Sequence, residues 1–270
     1  MAHFEPGILS FQCNICGSAC KFPLDQLSRE TVSCATCHST PRTRALVRLC
    51  AQELLHDDVP FPELPTRRDL RGLGMSDPEN CRSRLASKFA YENTYFHQPP
   101  FLDISAEIEP ERLGQYDFVI SSEVFEHVVP PVARAFTNVF RLLKPGGLFI
   151  LTVPYGTQAA TIEHFPELHQ FTVTQVQDKY ILTNVTRAGK TERFDELVFH
   201  GGPGATLEMR VFAEADLERQ LAAAGFTEIT IHRQPYFRYG IWWPQPWSWP
   251  ISARKALTPS GDSALGHGSE

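Results

Sequence analysis

Four cysteines arranged in two pairs constrain this chain more than any other feature of its sequence. Each pair has the form Cys-x-x-Cys, and 17 residues separate the segment CNIC from the segment CATC. A Cys-x-x-Cys turn directs two thiolates toward one ion, and two such turns complete a tetrahedral site of four sulfurs. The spacing therefore predicts a zinc ion held by Cys13, Cys16, Cys34 and Cys37. Because four protein ligands leave no open position, this zinc would be structural.

The residues around the cysteines indicate why a metal is needed there. Residues 1–62, predicted to form a zinc-knuckle domain, contain few large apolar side chains, and zinc binding supplies folding free energy that such a segment lacks. In a reducing compartment these cysteines are metal ligands or buried thiols rather than disulfides. Cys20 and His38 lie close enough in sequence to be alternative ligands, whereas Cys50 and Cys81 are expected to pack in the interior.

The overall composition is that of an ordinary globular chain, and its charge balance argues against one class of binding partner, nucleic acids. The 270 residues carry a net charge of −6, and residues 1–60 hold five basic side chains against six acidic ones. This balance does not neutralise a phosphate backbone well, so a nucleic-acid partner is not expected. The chain has no apolar run long enough to span a membrane and no signal-peptide pattern in MAHFEPGILSF, which predicts a cytoplasmic location. Nothing in the sequence selects an oligomeric state.

Strand-like and helix-like segments alternate through the middle of the chain. After the proline-broken stretch DDVPFPELPT, this alternation runs from residue 66 to residue 234 and predicts an α/β fold with a mostly parallel sheet. Residues 171–200 are predicted to be an inserted antiparallel hairpin that turns at Ala188-Gly189. Residues 235–270 form a tail rich in tryptophan and proline, whose last dozen residues are expected to be disordered.

Glycines and polar residues follow several predicted strands at the points where those strands end. RDLRGLGMSD indicates a short strand that enters a glycine loop, where Gly72 and Gly74 would allow the backbone to approach a ligand. YDFVI is a buried strand that runs directly into SSEVFEH. The carboxyl ends of parallel strands meet at one edge of a sheet, and open α/β folds bind their ligands at that edge. We therefore expect a ligand site there.

Two segments resemble a known family at their mutual spacing. DISAEIEPERLGQYDFVISSEVFEHV followed by FRLLKPGGLFILTVPY, with a later helix that ends in AAAGF, resembles the class I S-adenosylmethionine-dependent methyltransferases over roughly residues 68–234. The resemblance implies a Rossmann-like sheet of seven strands, one of them antiparallel, with helices on both faces. It also implies that S-adenosylmethionine binds at the carboxyl ends of the strands.

The resemblance places the adenosine part of this cofactor against two predicted strand ends. Asp103 would contact the adenine amino group, and Ile104 would pack on the adenine ring. The turn formed by Ser121, Ser122 and Glu123 would line the floor of the site. These roles are carried over from the family by position in its motifs.

The methionine part of the cofactor would lie over Gly72, Gly74 and Ser76, and here the chain departs from the family pattern in two places. The loop reads GLGMSD, where the family usually shows an acidic residue followed by three spaced glycines. The second strand ends in His97-Gln98, where an acidic residue normally holds the ribose hydroxyls, so His97 or Gln98 would hydrogen-bond the ribose instead. These departures leave a catalytically inactive binding module as an alternative.

Histidines after the predicted fourth and fifth strands are the candidates for acid–base chemistry. Methyl transfer to oxygen or carbon needs a base that takes up the acceptor's proton, and histidine titrates near neutral pH. His127 follows the fourth strand, His164 lies in IEHFPELH, and His200 lies in the glycine-rich segment VFHGGPG. A second interpretation joins Glu123, Glu126, His127 and His164 as ligands of a divalent cation that orients substrate oxygens.

The interpretation that accounts for most of these features is a methyltransferase that uses S-adenosylmethionine on a small-molecule or glycan-like acceptor, on oxygen first and carbon second. Some ribosomal-RNA methyltransferases also carry a four-cysteine zinc site ahead of such a domain, which leaves that class as an alternative. The net charge of −6 speaks against it. An NAD-dependent dehydrogenase is disfavoured because nothing in the chain resembles the substrate domain of that family.

Overall fold

The computed structural model describes residues 3–5, 7–202 and 204–257 of the chain. The N-terminal segment contains β1 (His3–Glu5), β2 (Ile8–Gln12), β3 (Ala19–Pro23) and α1 (Pro41–Leu55). The next elements are β4 (Arg67–Met75), α2 (Glu79–Lys88), β5 (Phe89–Thr94), β6 (Tyr116–Ser122), α3 (Ala133–Leu142) and β7 (Leu143–Thr152).

Short strands then form an insertion before the last helix. They are β8 (Tyr155–Gly156), β9 (Ile162–Glu163), β10 (Gln170–Val176), β11 (Lys179–Val185), β12 (Thr191–Phe194), β13 (Phe199–His200), β14 (Thr206–Leu207) and β15 (Arg210–Ala213). The remaining elements are α4 (Glu214–Ala223), β16 (Phe226–Ile231) and β17 (Ile251–Lys255). Single 3-10 turns occur at Leu24–Gln26, Phe61–Glu63, Pro110–Arg112, Phe125–His127 and Phe237–Tyr239.

The central sheet has the strand order β5-β4-β6-β7-β17-β16. The strands β5, β4, β6 and β7 pair in parallel, and β17 is antiparallel to both of its neighbours. The described residues thus place six strands in this sheet, whereas seven were expected. The segment FLDIS, which holds the predicted adenine contacts Asp103 and Ile104, is not a strand of this sheet, and its Phe101 forms an isolated bridge to Tyr95. Asp103 instead folds back and accepts a hydrogen bond of 2.8 Å from the Ser105 amide, which ends any extended backbone there.

The strand β17 lies in the segment that was predicted to be a tail outside the sheet. It pairs with β7 through Ile251 opposite Leu151, and with β16 through Ile251 opposite Ile231. Ile251 and Ala253 are buried in the core. The boundary predicted at residue 234 is therefore wrong. The strand β17 is short and is held by hydrogen bonds on both of its edges. It therefore does not need a long apolar run, which is the sequence pattern that would have predicted it.

Helices cover both faces of the sheet. The helices α3 and α4 pack on one face, with Phe136 and Leu217 in the same buried cluster as Phe149. The helices α1 and α2 pack on the other face, where Leu46 joins a cluster with Ile150. Because α1 belongs to the N-terminal segment, the predicted zinc-knuckle region shares its hydrophobic core with the central sheet.

A hydrogen-bonded cap fixes the start of α1. Thr40 precedes the helix, Pro41 opens it, and the Thr43 amide donates to the Thr40 hydroxyl at 3.2 Å while the Thr40 amide donates to the Thr43 hydroxyl at 2.9 Å. The helix therefore begins directly after the second cysteine pair. No helix among the described residues combines the length and the apolar character needed to cross a membrane.

The predicted insertion contains three antiparallel strands rather than one hairpin. The strands β10, β11 and β12 form one sheet, and the turn between β11 and β12 has Gly189 at a φ of +79°. The hairpin of β13 and β14 pairs His200 with Thr206, and β15 pairs with β8 and β9. These short strands bring His200 and Glu208 over the carboxyl edge of the central sheet.

Candidate functional site

The four predicted zinc ligands lie together next to α1. The Sγ atoms of Cys13 and Cys37 are 3.6 Å apart, those of Cys16 and Cys34 are also 3.6 Å apart, and all four lie within 4.8 Å of one another. Sulfurs bound tetrahedrally about 2.3 Å from a zinc ion would be separated by about 3.8 Å. The arrangement of the four thiols therefore fits a tetrahedral metal site.

A buried arginine lies beneath the four cysteines. The Arg44 side chain has no exposed surface, and its guanidinium donates to the Ser39 carbonyl at 3.0 Å, the Ser33 hydroxyl at 2.9 Å and the Gly240 carbonyl at 2.8 Å. The Ser39 hydroxyl in turn lies 3.3 Å from the Cys13 sulfur. The positive charge of Arg44 offsets part of the negative charge that four thiolates carry. Arg44 is therefore a buried structural residue.

Two further arginines of the N-terminal segment reach the end of β6. Arg29 donates two hydrogen bonds to the Glu123 carboxylate, at 2.8 and 2.6 Å, and Arg42 lies 4.0 Å from the same group and donates to the Ser122 hydroxyl. Burial acts to raise the pKa of Glu123, but the hydrogen bonds and charge of Arg29 outweigh it and lower that pKa. The carboxylate of Glu123 is thus occupied by its contacts with the arginines. The predicted cation site that included Glu123 is therefore not the arrangement observed.

A cavity of about 530 Å³ opens at the carboxyl ends of β4, β5 and β6. Its volume lies in the range of small-molecule and cofactor sites. Part of its wall is apolar, including Leu102 and Val128. The predicted cofactor contacts that line it are Ser76, His97, Asp103, Ile104 and Glu123. The ligand site expected at this edge of the sheet thus has a cavity to occupy.

The two glycines assigned to the cofactor loop lie elsewhere. The strand β4 continues to Met75, so Gly72 and Gly74 are inside the sheet and do not line the cavity. A Cβ atom at Gly72 would overlap the Phe118 ring, and one at Gly74 would overlap the Tyr91 hydroxyl. The prediction of a glycine loop is therefore wrong. These glycines are required by side chains that pack over β4.

The two serines predicted on the floor of the site are set back from the cavity. Ser121 is fully buried in β6, and Ser122 accepts hydrogen bonds from the Thr152 hydroxyl at 3.1 Å and from Arg42. Neither serine is among the lining residues, so the floor at this point is formed by Glu123 and Val124.

The remaining predicted cofactor residues differ in how they are held. The Asp103 carboxylate accepts from the Ser105 amide at 2.8 Å and from the Ser105 hydroxyl at 2.6 Å, which fixes its orientation at the cavity wall. Ile104 is buried and presents an apolar surface. His97 lies at the exposed rim, with its ring centroid 4.8 Å from that of Phe96.

A buried carboxylate and two histidines meet beside the cavity. Glu126 has no exposed surface, and its Oε1 atom lies 3.5 Å from His127 Nε2 and 3.6 Å from His200 Nδ1. The opposite nitrogen of His127, Nδ1, lies 2.9 Å from the Leu207 carbonyl oxygen. Burial raises the pKa of Glu126, and the neighbouring carboxylates of Glu126 and Glu208 raise the pKa of His200. His127 and His200 line the cavity, so this cluster faces any bound ligand.

A second carboxylate links two of the predicted catalytic histidines. Glu208 is buried, and its two oxygens lie 2.9 Å from His200 Nε2 and 2.8 Å from His164 Nε2. His164 does not line the cavity. The structure therefore brings His127, His164 and His200 into one cluster, with His164 behind the cavity wall and connected to His200 through Glu208.

Arg210 braces the turn that carries Glu126 and His127. It is fully buried and donates to the carbonyl oxygens of Phe125 at 2.9 Å and Val128 at 2.6 Å, on either side of that turn. It also donates to Glu163 at 2.7 Å. Neither Arg210 nor Glu208 was predicted. The pattern Glu-x-Arg shortly after His200 is the signal in the sequence that points to them.

Comparisons with known proteins identify a family for this chain. A family model described as a methyltransferase domain matches residues 72–231. Lovastatin diketide synthase lovF from Aspergillus terreus is 32% identical to this chain over 124 residues, which are 43% of this chain and 4% of that protein. The chain thus spans about 4% of the length of the curated relative that it matches.

Solved structures with similar folds include two methyltransferases. One is an S-adenosylmethionine-dependent methyltransferase from Clostridium acetobutylicum, with a TM-score of 0.45 and 14% identity, covering 81% of this chain and 92% of that one. Another is the sugar N-methyltransferase KedS8 from Streptoalloteichus, with a TM-score of 0.41 and 13% identity, covering 69% of this chain and 80% of that one. Since the family model covers more than half of its residues, the chain belongs to the methyltransferase-domain family.

Proposed function

We propose that this chain transfers the methyl group of S-adenosylmethionine to a hydroxyl oxygen of a small-molecule or glycan-like acceptor. The observation that carries the proposal is the cavity of about 530 Å³, which joins a wall with Asp103 and Ile104 to a cluster of Glu126, His127 and His200. The wall suits a nucleoside, and the cluster suits a hydroxyl that must lose a proton. A carbon acceptor is the second choice, because it has the same need for proton removal.

The residues of the wall with Asp103 and Ile104 fit the cofactor. Leu102 and Ile104 offer apolar surface for a purine ring, and the fixed Asp103 carboxylate accepts hydrogen bonds from an amino group. Ser76 and His97 also line the cavity and can hydrogen-bond a ribose. When bound there, S-adenosylmethionine supplies an activated methyl group on a sulfonium centre.

The cluster of Glu126, His127 and His200 is suited to activate the acceptor. An acceptor hydroxyl becomes a better nucleophile as its proton is drawn away. His127 and His200 present ring nitrogens next to the buried Glu126, and Glu208 and the Leu207 carbonyl hold the two rings in place. These fixed polar groups position the acceptor against the cofactor without first having to reorganise.

The four-cysteine cluster is proposed to hold structural zinc. Its four thiols fill a tetrahedral coordination sphere, so a metal there has no position open to substrate. The metal would have a structural role. The segment between the two cysteine pairs carries Arg29, and the segment just after the second pair carries Arg42. Both arginines contact the turn at the end of β6, so zinc binding would hold the floor of the cavity in position.

A labelled-methyl assay tests the proposed function. The chain is incubated with S-adenosylmethionine and with separate pools of hydroxylated small molecules, glycans and RNA, and we expect label in the first or second pool. Asp103→Ala should weaken cofactor binding measured by calorimetry, and His200→Ala should lower kcat, whereas the exposed His169→Ala should change neither. Label found only in RNA would favour a ribosomal-RNA methyltransferase. Absence of submillimolar cofactor binding would favour an inactive binding module.

A further inference from the structure

We propose that Glu126, His127 and His200 form a site for one divalent transition-metal cation, with the open coordination positions of the cation facing the cavity. The use of this cation in catalysis rests on the proposed function. Binding of the cation does not, because it follows from the arrangement of three side chains. The sequence interpretation joined Glu123 and His164 to Glu126 and His127. In the structure, His200 lies beside Glu126 and His127 instead of Glu123 and His164.

The state of Glu126 is the first argument. Its side chain has no exposed surface, and neither carboxylate oxygen has a hydrogen-bond donor among the residues that the structure describes. An ionised carboxylate in the interior is strongly destabilised unless it is paired or coordinates a metal. The ring nitrogens closest to it are 3.5 and 3.6 Å away, which is long for a hydrogen bond. A cation between these groups would satisfy the carboxylate.

The distances are the second argument. The ligand atoms of Glu126, His127 and His200 all lie within 4.8 Å of one another. Nitrogen and oxygen ligands about 2.1 Å from a common ion in tetrahedral geometry are separated by about 3.4 Å. The observed separations of 3.5 and 3.6 Å agree with that value.

The partners behind the histidines are the third argument. His127 Nδ1 is held by the Leu207 carbonyl at 2.9 Å, which leaves Nε2 to face Glu126 as the ligand atom. His200 Nε2 is held by Glu208 at 2.9 Å, which leaves Nδ1 to face the same point. Metal-binding histidines almost always donate their second nitrogen to a carboxylate or a backbone carbonyl in this way. His164 would support the site indirectly, because it binds the other oxygen of Glu208.

The ligand set selects the class of cation. Two imidazoles and one carboxylate favour Mn²⁺, Fe²⁺, Co²⁺ or Zn²⁺ over Ca²⁺ and Mg²⁺, which prefer oxygen ligands. Three protein ligands leave positions for substrate oxygens. Since His127 and His200 line the cavity, those positions face the acceptor. A hydroxyl bound to the cation has a lowered pKa, which meets the need to activate the acceptor oxygen.

Manganese binding to the full-length chain is the test, because Mn²⁺ prefers nitrogen and oxygen ligands to the four thiols and is seen directly by electron paramagnetic resonance. The wild-type chain should bind one Mn²⁺ per molecule. Glu126→Gln and His200→Ala should each weaken binding at least ~100-fold, and Glu208→Gln should weaken it roughly 10- to 100-fold. The matched control is Glu196→Gln at an exposed position, which should leave binding unchanged.

Two measurements keep the outcome clear. Because the His200 side chain is 35% exposed, His200→Ala should fold, and an unchanged melting temperature would verify this. If the wild-type chain binds no Mn²⁺ in the submillimolar range, or if the His200 variant binds it as well as wild type, the cation site is refuted whatever the methyl-transfer assay shows. A chain that binds Mn²⁺ at these residues but transfers no methyl group would retain the cation site and end the proposed function.

Discussion

Arg29 and Glu123, which lie 94 positions apart in the chain, are joined by two hydrogen bonds of 2.8 and 2.6 Å. Glu123 lines the cavity and has a φ of +57°, a left-handed backbone conformation that is strained for a residue with a side chain. Arg29 also donates to the Ser248 carbonyl at 3.1 Å. One guanidinium thus connects the N-terminal segment, the turn after β6 and the segment before β17.

Replacing Arg29 with Gln should therefore destabilise the protein and the cofactor site together. Glu123 would stay mostly buried without its charged partner, so we expect the free energy of unfolding to fall by about 1–3 kcal/mol. Urea unfolding measures that loss, and calorimetry with S-adenosylmethionine should show a several-fold weaker affinity. The exposed Arg187→Gln removes the same charge and serves as the control. Equal effects of the two substitutions would contradict the importance of the Arg29–Glu123 pair.

Loss of one cysteine of the four should remove the zinc and loosen the same turn. Cys34→Ser should lower the zinc content from one atom per chain to none and reduce the melting temperature, because the metal contributes folding free energy. Cys20→Ser is a matched control, since Cys20 is a nearby thiol outside the cluster of four. Elemental analysis and thermal unfolding check both variants. A Cys34→Ser chain that retained its full zinc content would show that the ligand assignment is wrong.

Gly72→Ala distinguishes a packing role of this glycine from a role in cofactor binding. The added methyl group would overlap the Phe118 ring, so we expect a loss of about 1–3 kcal/mol of stability. Combining it with Phe118→Leu should remove part of the clash, and the two substitutions should then destabilise by less than the sum of their separate effects. Cofactor affinity per folded molecule should change little. Strict additivity, or a specific loss of cofactor binding, would count against the packing role.

Asp77 should make stability depend on pH near neutrality. Burial raises the pKa of Asp77 to about 7, although the hydrogen bond from Tyr91 and the charge of Arg42 act to lower it. Between about pH 4 and pH 7 the folded chain holds a proton that the unfolded chain has lost, so the free energy of unfolding falls as the pH rises. The loss from this one group is about 1.4 kcal/mol per pH unit.

The substitution Asp77→Asn should abolish that dependence. The difference in unfolding free energy between variant and wild type should grow in favour of the variant up to about pH 7 and then stay constant. Urea unfolding at several pH values measures it, and the exposed Asp195→Asn provides the baseline. A difference that is flat across this range would mean that Asp77 is ionised throughout.

Local patterns predicted the parts of the site that lie within short stretches of chain. The apolar strand that runs into Glu123 indicated the carboxyl edge of a parallel sheet, and the cavity is found there. The spacing of the cysteine pairs predicted four thiols that lie together. In both cases the prediction used residues within one short segment, either two cysteines three positions apart or a strand and the polar residues that follow it.

Interactions between distant segments were beyond prediction from one sequence. Glu208 lies 44 residues from His164, and Arg29 lies 94 residues from Glu123, so no local period reports either pair. Gly72 was predicted to lie in a loop because the residues around it are also compatible with a turn. Only the position of the Phe118 ring on the next strand shows why a side chain is excluded there.

The placement of β17 has a consequence for how the protein is made. This strand is the last described element in the chain, yet it occupies an interior position of the sheet, between β7 and β16. On the ribosome, β7 and β16 emerge first and flank a gap one strand wide, with two unpaired edges open to other chains. The nascent protein is therefore exposed to aggregation until Ile251–Lys255 has left the exit tunnel, and its yield in cells should respond to chaperones that shield such edges.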